Sequence, residues 1–380
     1  MQQKFKIKQL TPIIHFQHEQ KGATLRASEF KPKLDKYIRK KYNLPEEKHL
    51  KYQMKIMTSG NYDEYELPKN NRLYFGNQGN VKHKKAITYP EGLELTINPY
   101  FDKNLFKQIK ACLPICLAHE NFGTRQNKGF GSFYIENDSN YNFDSIENVL
   151  KNSDRPVYYF DFIGDDPFKY ISGLYNVMKP GINFRRDYQK SLLWKYFVEE
   201  IKYCEAKKIK QPIVWEKRFM KMKLSNQEDY GHEQFFIRVL LGLAGNYLFA
   251  NKKGCRMDSA YHNKESTIDL WRNTFKVSNK EIERFKSPIT FKPYKNKIYI
   301  ILNQDTYEHN STKILSSKFY FEYGRGGGGE LDVPKEFILE NFMDYVCGVV
   351  NNKEFDKTFS DSDRIFSKMQ IKKLTNGDHI

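Results

Sequence analysis

The tract Asn121-Phe-Gly-Thr-Arg-Gln-Asn-Lys-Gly-Phe-Gly-Ser-Phe133 constrains the fold of this 380-residue chain more than any other. An apolar run at helical spacing, Leu105 to Ala118, precedes it, and a short aromatic strand, Phe133 to Ile135, follows. Gly123, Gly129 and Gly131 free the main chain to take positive φ and to approach a neighbour or ligand closely. Arg125 and Lys128 add charge and donors, and Phe130 adds a ring that can stack on a base or close the loop onto the core. On the residues alone two readings fit: a tight helix-to-strand connection with two solvated cations, or a loop that holds a phosphate backbone. There is no Walker pattern, and no G-x-G-x-x-G opens a helix after a strand, which sets aside P-loop and Rossmann sites.

The charge balance favours the phosphate reading. Lys and Arg number 63 against 46 Asp and Glu, a formal net charge of +17, and the sequence pI is about 9.3. Such an excess is the footprint of a protein that neutralises phosphates. The 26 Tyr and 29 Phe supply rings for a core and for base stacking. Charge alone names no site, because many lysines simply form a solvated face.

No apolar run reaches the roughly 18 residues of a membrane span, and the opening MQQKFKIKQL holds no signal-peptide core. The expectation is a cytoplasmic protein without membrane contact. Cys112, Cys116, Cys204, Cys255 and Cys347 are scattered without a paired C-x-x-C framework. Neither disulfides nor a structural zinc is expected, and no cofactor.

Phe5, Ile7, Ile14 and Phe16 predict a first strand over Lys4 to Phe16. After the loop His15 to Lys31, Pro32 suits a first helical turn, with Leu34, Tyr37 and Ile38 as an apolar stripe. Extended segments near Leu50 to Met57, Leu73 to Phe75 and Gly92 to Ile97 follow, then the helix Leu105 to Ala118, which Pro114 should kink, and the strand Phe133 to Ile135. The order βαββαβ is ferredoxin-like. The polar stretch Ser139 to Arg155 places a boundary that gives domains 1–150 and 151–380. In the second, Val157 to Phe162 reads as a strand, Leu192 to Cys204 as a helix and Ile237 to Phe249 as an apolar segment. Ser287 to Pro293 and Lys297 to Leu302 read as a hairpin turning at Tyr294 to Asn296, and Pro334 to Val350 as a helix. Gly324-Arg-Gly-Gly-Gly-Gly329 is a linker or a binding loop, and Asp361 to Ile380 a fraying tail or an edge strand. The fold class is α+β, with two tandem ferredoxin-like (RRM-like) domains built on antiparallel sheets and helical insertions in the second.

Three segments, Leu10-Thr-Pro-Ile, Leu25-Arg-Ala-Ser-Glu-Phe-Lys31 and Phe122-Gly-Thr-Arg-Gln-Asn-Lys-Gly-Phe-Gly-Ser132, resemble the RAMP superfamily of CRISPR-associated proteins. Within it the chain is most similar to the first, two-domain subunit of the type III-B Cmr effector complex. That family ends its first strand in Thr-Pro, places an Arg-x-Ser-x-x-Lys-like segment before the first helix, and puts a Gly-x-x-Ser-Arg-x-x-Gly-Phe-Gly loop after the second. The segment Ser287-Pro-Ile to Lys292, followed by Tyr299, is similar to another part of it. The likeness covers Leu10 to Ser132 and, more loosely, Phe285 to Leu302. It departs at the first helix, where the family carries Lys-Gly and an Arg-Phe-Trp-Trp-Arg-like run and this chain has Lys31-Pro-Lys and Asp35-Lys-Tyr-Ile-Arg39.

The resemblance implies tandem RAMP domains in an RNA-binding subunit of a type III CRISPR-Cas effector ribonucleoprotein of antiviral defence. Its implied partners are the 3′ region of the guide RNA, the target RNA and the other Cmr/RAMP subunits. Lys21, Arg26, Lys31, Lys33, Arg39, Arg125 and Lys128 then hold phosphates around Gly123, Gly129 and Gly131, with Phe130 stacking or closing the loop. Arg26, Lys31, Arg125 and Lys128 lead that set. Lys36, Lys40 and Lys41 read as a solvated helix face, and Arg185, Arg186 and Lys190 as a second patch or an exposed turn.

Two readings come from other classes. His15 and His18 beside Lys21 and Arg26 could perform acid–base chemistry on a 2′-hydroxyl, as in the guide-processing endoribonucleases of the same superfamily. Those enzymes place the glycine loop near the carboxyl end, whereas here it lies at 123–131. His15-x-x-His18 lacks further ligands for a metal, and nothing singles out Asp35, Asp102 or Asp161 as a catalytic acid. A purely structural adaptor would bind no RNA at all.

Overall fold

The computed structural model describes residues 2–15, 24–58, 60–66, 85–184, 187–200, 214–216, 219–220, 234–248, 274–307, 313–323, 327–355 and 365–375. His18, Lys21, Leu73 to Phe75, Arg185, Arg186, Cys204, Cys255 and Gly324 to Gly326 lie outside them.

Strand β1 (Gln3–Gln9) alternates, Phe5 and Ile7 inward against exposed Lys4 and Lys6. Helix α1 (Ala27–Tyr42) sets Phe30, Leu34 and Ile38 one above another on its buried face. It begins ahead of the start expected at Pro32, because Phe30 extends the stripe by a turn. The Arg26 carbonyl closes that turn, accepting from the amides of Glu29 and Phe30 at 3.1 and 3.0 Å. Pro32 therefore falls inside the helix, exposed to solvent.

Next come β2 (Gln53–Thr58), a hairpin of β3 (Asp63–Glu66) and β4 (Lys85–Thr88), and β5 (Leu93–Asn98). Helix α2 (Lys103–His119) opens on Asp102, whose carboxylate accepts from the Leu105 amide at 2.8 Å, and runs on through Pro114. Strand β6 (Phe133–Ile135) completes the sheet, ordered β2-β5-β1-β6 and antiparallel throughout. This is the ferredoxin-like order. Its core joins Phe5, Ile7, Leu95 and Ile97 to Ile109, Leu113 and Cys116 of α2.

The rest of the chain repeats the pattern. After α3 (Ile146–Lys151) come β7 (Val157–Asp161), α4 (Pro167–Met178), β8 (Ile289–Tyr294), β9 (Lys297–Leu302), α5 (Leu339–Asn352) and β10 (Lys372–Lys373). The second sheet is ordered β8-β9-β7-β10, again antiparallel, so its strands take the same permutation as the first. The polar tail contributes its edge strand. Residues 179–288 and 303–338 are insertions within this second βαββαβ order.

By contacts the chain forms two compact units: Met1–Leu174 with Ile289–Leu302 and Phe359–Ile380, and Tyr175–Pro288 with Asn303–Thr358. Both four-stranded sheets belong to the first. The second holds a six-stranded sheet in which Gly327–Asp332 pairs with Lys318–Tyr323, so that part of the glycine run is strand. Two pairings there are parallel, Val214 with Gln234 and Phe235 with Asp332, an exception to the expected antiparallel pattern. Buried Phe236 meets Phe319 and Phe321 edge-on above it.

Ile7 has no solvent exposure and sits in the centre of the first sheet. Replacing it with Ala is expected to lower unfolding stability by about 2–5 kcal/mol, read from the urea midpoint.

Candidate functional site

The glycine tract is a clamp whose main-chain groups are mostly engaged within the protein. The Phe122 amide donates to the Gly131 carbonyl at 2.9 Å, closing the loop on itself. The Leu10-Thr-Pro-Ile step straps it: the Gly131 amide donates to Pro12 O at 2.9 Å and the Thr124 amide to Ile14 O at 2.8 Å. The Thr11 hydroxyl donates to Gly129 O at 2.6 Å and accepts from the Ser132 amide at 2.9 Å. Two glycines are obligatory here. At Gly131 (φ 67°) a Cβ would lie 2.0 Å from the Phe122 carbonyl oxygen, and at Gly123 (φ 79°) 2.6 Å from that of Ile14.

The clamp also reaches the second sheet. The side-chain amide of Asn121 donates to Gln126 O at 2.8 Å and Phe291 O at 2.9 Å, and that of Asn127 to Ile289 O at 3.2 Å. Lys292, fully buried on β8, places its Nζ 2.6 Å from Leu117 O, 3.1 Å from Glu120 O, 3.2 Å from Asn121 Oδ1 and 3.3 Å from Phe133 O.

Most of the expected cations serve this architecture. The Gly123 amide donates to the Glu29 carboxylate at 2.9 and 3.2 Å, so a protein anion already occupies that position. Lys33 lies 3.6 Å from Glu29 and 3.8 Å from Glu120, donates to Asn121 O at 2.6 Å and Gln126 Oε1 at 2.5 Å, and covers the Phe122 ring. Lys31 donates to Asp35 at 2.8 Å and Leu50 O at 3.2 Å, and Arg39 to Lys48 O at 3.3 and 3.0 Å. Lys128 is buried. Phe130 has no exposure and stacks on Phe168 with ring centroids 4.1 Å apart, so it closes the loop onto the core and offers no face to a base.

Among the described members of the set, Arg26 and Arg125 are the exposed ones. The Arg26 Nε donates to His15 Nε2 at 3.0 Å, and Arg125 sits in left-handed backbone at φ 58°. Because Ile14 pairs with Thr124, these two arginines flank one bridge. His15 is buried with that ring nitrogen engaged, which leaves it poorly placed for proton transfer to a substrate. Among the described residues no cluster of His, Cys, Asp and Glu is placed to hold a metal ion. Glu29, Thr11, Asn121 and Lys292 were not anticipated. Thr11 and Glu29 lie in the segments that carry the resemblance, Asn121 opens the glycine tract, and the signal of Lys292 is a lysine inside the strand Ile289–Tyr294.

The family model of the Cmr1 N-terminal domain matches residues 1–46 and 39–182, and that of the Cmr1 C-terminal domain residues 188–372. The chain belongs to the Cmr1 family. Among solved structures, Cmr1 from Pyrococcus furiosus (apo form) aligns over 100% of both chains at 11% identity and a TM-score of 0.39. A chain of type III-B Cmr-beta bound to cognate target RNA and AMPPnP aligns over 90% of this chain and 97% of that one, at 12% identity and 0.34. A chain of Cmr-beta bound to cognate target RNA aligns over 35% and 58%, at 16% identity and 0.25. At these TM-scores the superpositions carry no argument; the family rests on the sequence match and the fold on strand order. No curated protein matches the chain.

In this member of the family burial perturbs two groups beside the clamp. His119 donates from Nδ1 to Ile115 O at 2.9 Å and accepts at Nε2 from the Ser153 hydroxyl at 2.7 Å, facing a cavity of about 520 Å³ also lined by Tyr37, Lys40 and Arg155. Desolvation, aided by Arg155, lowers its pKa to about 4. Desolvation likewise lowers Lys292 to about 7.

Two expectations follow from the clamp. Gly131→Ala should destabilise the protein by more than about 1–3 kcal/mol, seen as a lower thermal midpoint, because the added Cβ meets a backbone carbonyl. The Lys292 amine is neutral in the folded chain above about pH 7, while the unfolded chain keeps its proton up to about 10.5. Stability should therefore rise with pH between about 7 and 10.5 and level off at its lower value below about 7. Buried Lys179, also lowered to about 7, acts in the same window, so Lys292→Met should remove part of the rise in a urea titration against pH, and an unaltered rise would refute the assignment.

Proposed function

We propose that this chain is an RNA-binding subunit of a type III-B Cmr effector ribonucleoprotein in antiviral defence. In this reading it contacts the 3′ region of the guide RNA and the target RNA, assembles with the other RAMP subunits in the cytoplasm, and binds without cleaving. The observation that carries the reading is the match to both Cmr1 domains, reaching from residue 1 to residue 372. The net charge of +17 and the exposed Arg26 and Arg125 beside the clamp support it.

The geometry narrows the contact set. The exposed guanidinium groups at 26 and 125 suit paired phosphate oxygens, while Lys31, Lys33 and Arg39 lie partly buried against backbone carbonyls and carboxylates of the protein. Lys36 and Lys41, exposed on α1, extend the basic surface. Contacts of this kind read the backbone and not the sequence, leaving specificity to base pairing.

The test is retention of labelled single-stranded RNA across a salt series. Arg26→Ala with Arg125→Ala is expected to weaken binding and make the salt slope shallower by about 1 to 2 units, at roughly 0.7 per phosphate contact. Buried Lys128, replaced by Met, should leave the slope as it is, and the RNA should stay intact with or without His15→Ala. An unchanged slope in the double arginine variant would sink the contact assignment, and cleavage abolished by His15→Ala would make the chain a nuclease.

A further inference from the structure

The turn between β5 and α2 is built against local preference. The Asp102 amide donates to Pro99 O at 3.0 Å, and the two residues between them, Tyr100 and Phe101, both take positive φ, 49° and 72°. This is the pattern of a type I′ turn, where Asn and Gly are usual and an aromatic residue is strained. Little apolar burial is gained in return: Tyr100 is 50% exposed and Phe101 86% exposed. Strain kept at a position whose second ring, Phe101, is almost wholly in solvent points to a role outside the fold.

The surroundings are basic. Lys103, Lys107 and Lys110 follow at i, i+4 and i+7, exposed on one face of α2. Lys110 lies 5.1 Å from the Tyr141 ring, and Lys103 and Lys107 continue the row to the aromatic tip. Across the sheet, exposed Lys4 and Lys55 flank Thr96 of β5, and Glu94 pairs with Lys4. Asp102 is the one acid between Pro99 and Lys110, and its carboxylate is committed to the Leu105 amide.

We propose that the Tyr100–Phe101 turn is a base-stacking platform, on which an unpaired RNA base lies against Phe101 while Lys103 and Lys107 hold the phosphates on either side. This rests on the RNA-binding reading above and adds a second contact region to it. Exposed rings interleaved with lysines and little acid are what single-stranded nucleic acid selects, since every base has a π-face and every linkage a charge. A protein partner would more readily use a wider apolar surface with fewer lysines.

The experiment uses the full chain and a single-stranded RNA oligonucleotide carrying 2-aminopurine, with fluorescence quenching, affinity across a salt series and thermal midpoint all measured. Phe101→Gly is expected to abolish the quench and weaken binding about tenfold, with the salt slope unchanged. Its thermal midpoint should stay equal or rise, because glycine suits the positive φ. Phe101→Tyr should restore the quench, and Lys103→Ala with Lys107→Ala should make the slope shallower by about 1.4. Wild-type quench and affinity in Phe101→Gly would overturn the proposal, and so would intact RNA binding combined with lost association with other subunits, which would make the turn a protein contact. If Arg26→Ala with Arg125→Ala weakens retention but Phe101→Gly does not, this inference fails alone. If the wild-type chain retains no RNA, both readings fail.

Discussion

Lys292 is the point on which the two sheets depend. A helix leaves its last carbonyls without partners, and two of those at the end of α2, Leu117 and Glu120, receive the Lys292 ammonium from β8. The same Nζ reaches Phe133 O at the start of β6 and the side chain of Asn121, so one buried cation joins a helix end, the opening of the glycine tract and strands of both sheets. The negative end of the helix dipole favours a positive charge at that position. Burial opposes it, which is why the amine sits near neutrality and the junction couples to pH.

The clamp explains how a basic glycine loop can be mostly structural. Its amides face Pro12, Ile14 and Gly131 carbonyls and the Glu29 carboxylate, leaving few donors for a ligand. A loop satisfied in this way is rigid, and rigidity is what it lends to Arg26 and Arg125 at its rim. Binding by such groups costs less ordering entropy than binding by free loop lysines, so the same residue types are more effective on this support.

Much of the plan was legible beforehand. Alternation in Lys4 to Gln9, the stripe Phe30, Leu34 and Ile38, and the hairpin at Tyr294 to Asn296 follow from side-chain periodicity and turn chemistry, which are local properties. The glycine loop and its neighbours pointed to the family for the same reason, since positive φ at fixed spacing leaves a mark in sequence. The repeated sheet permutation was less legible. Insertions at 179–288 and 303–338 separate the second set of strands, and strand order is a matter of pairing across long separations.

Sequence by itself determined the element types, the ferredoxin-like order of the first half, the excess of positive charge and the family. Only the tertiary structure decided which charges are available. Lys31, Lys33, Lys128 and Arg125 look alike in a string, yet Asp35 with Leu50, and Glu29 with Glu120, claim the first two, the third is buried, and the fourth stands exposed on left-handed backbone. The partners of a cation arrive from distant parts of the chain, and whether it meets a carboxylate or water is settled when those parts pack.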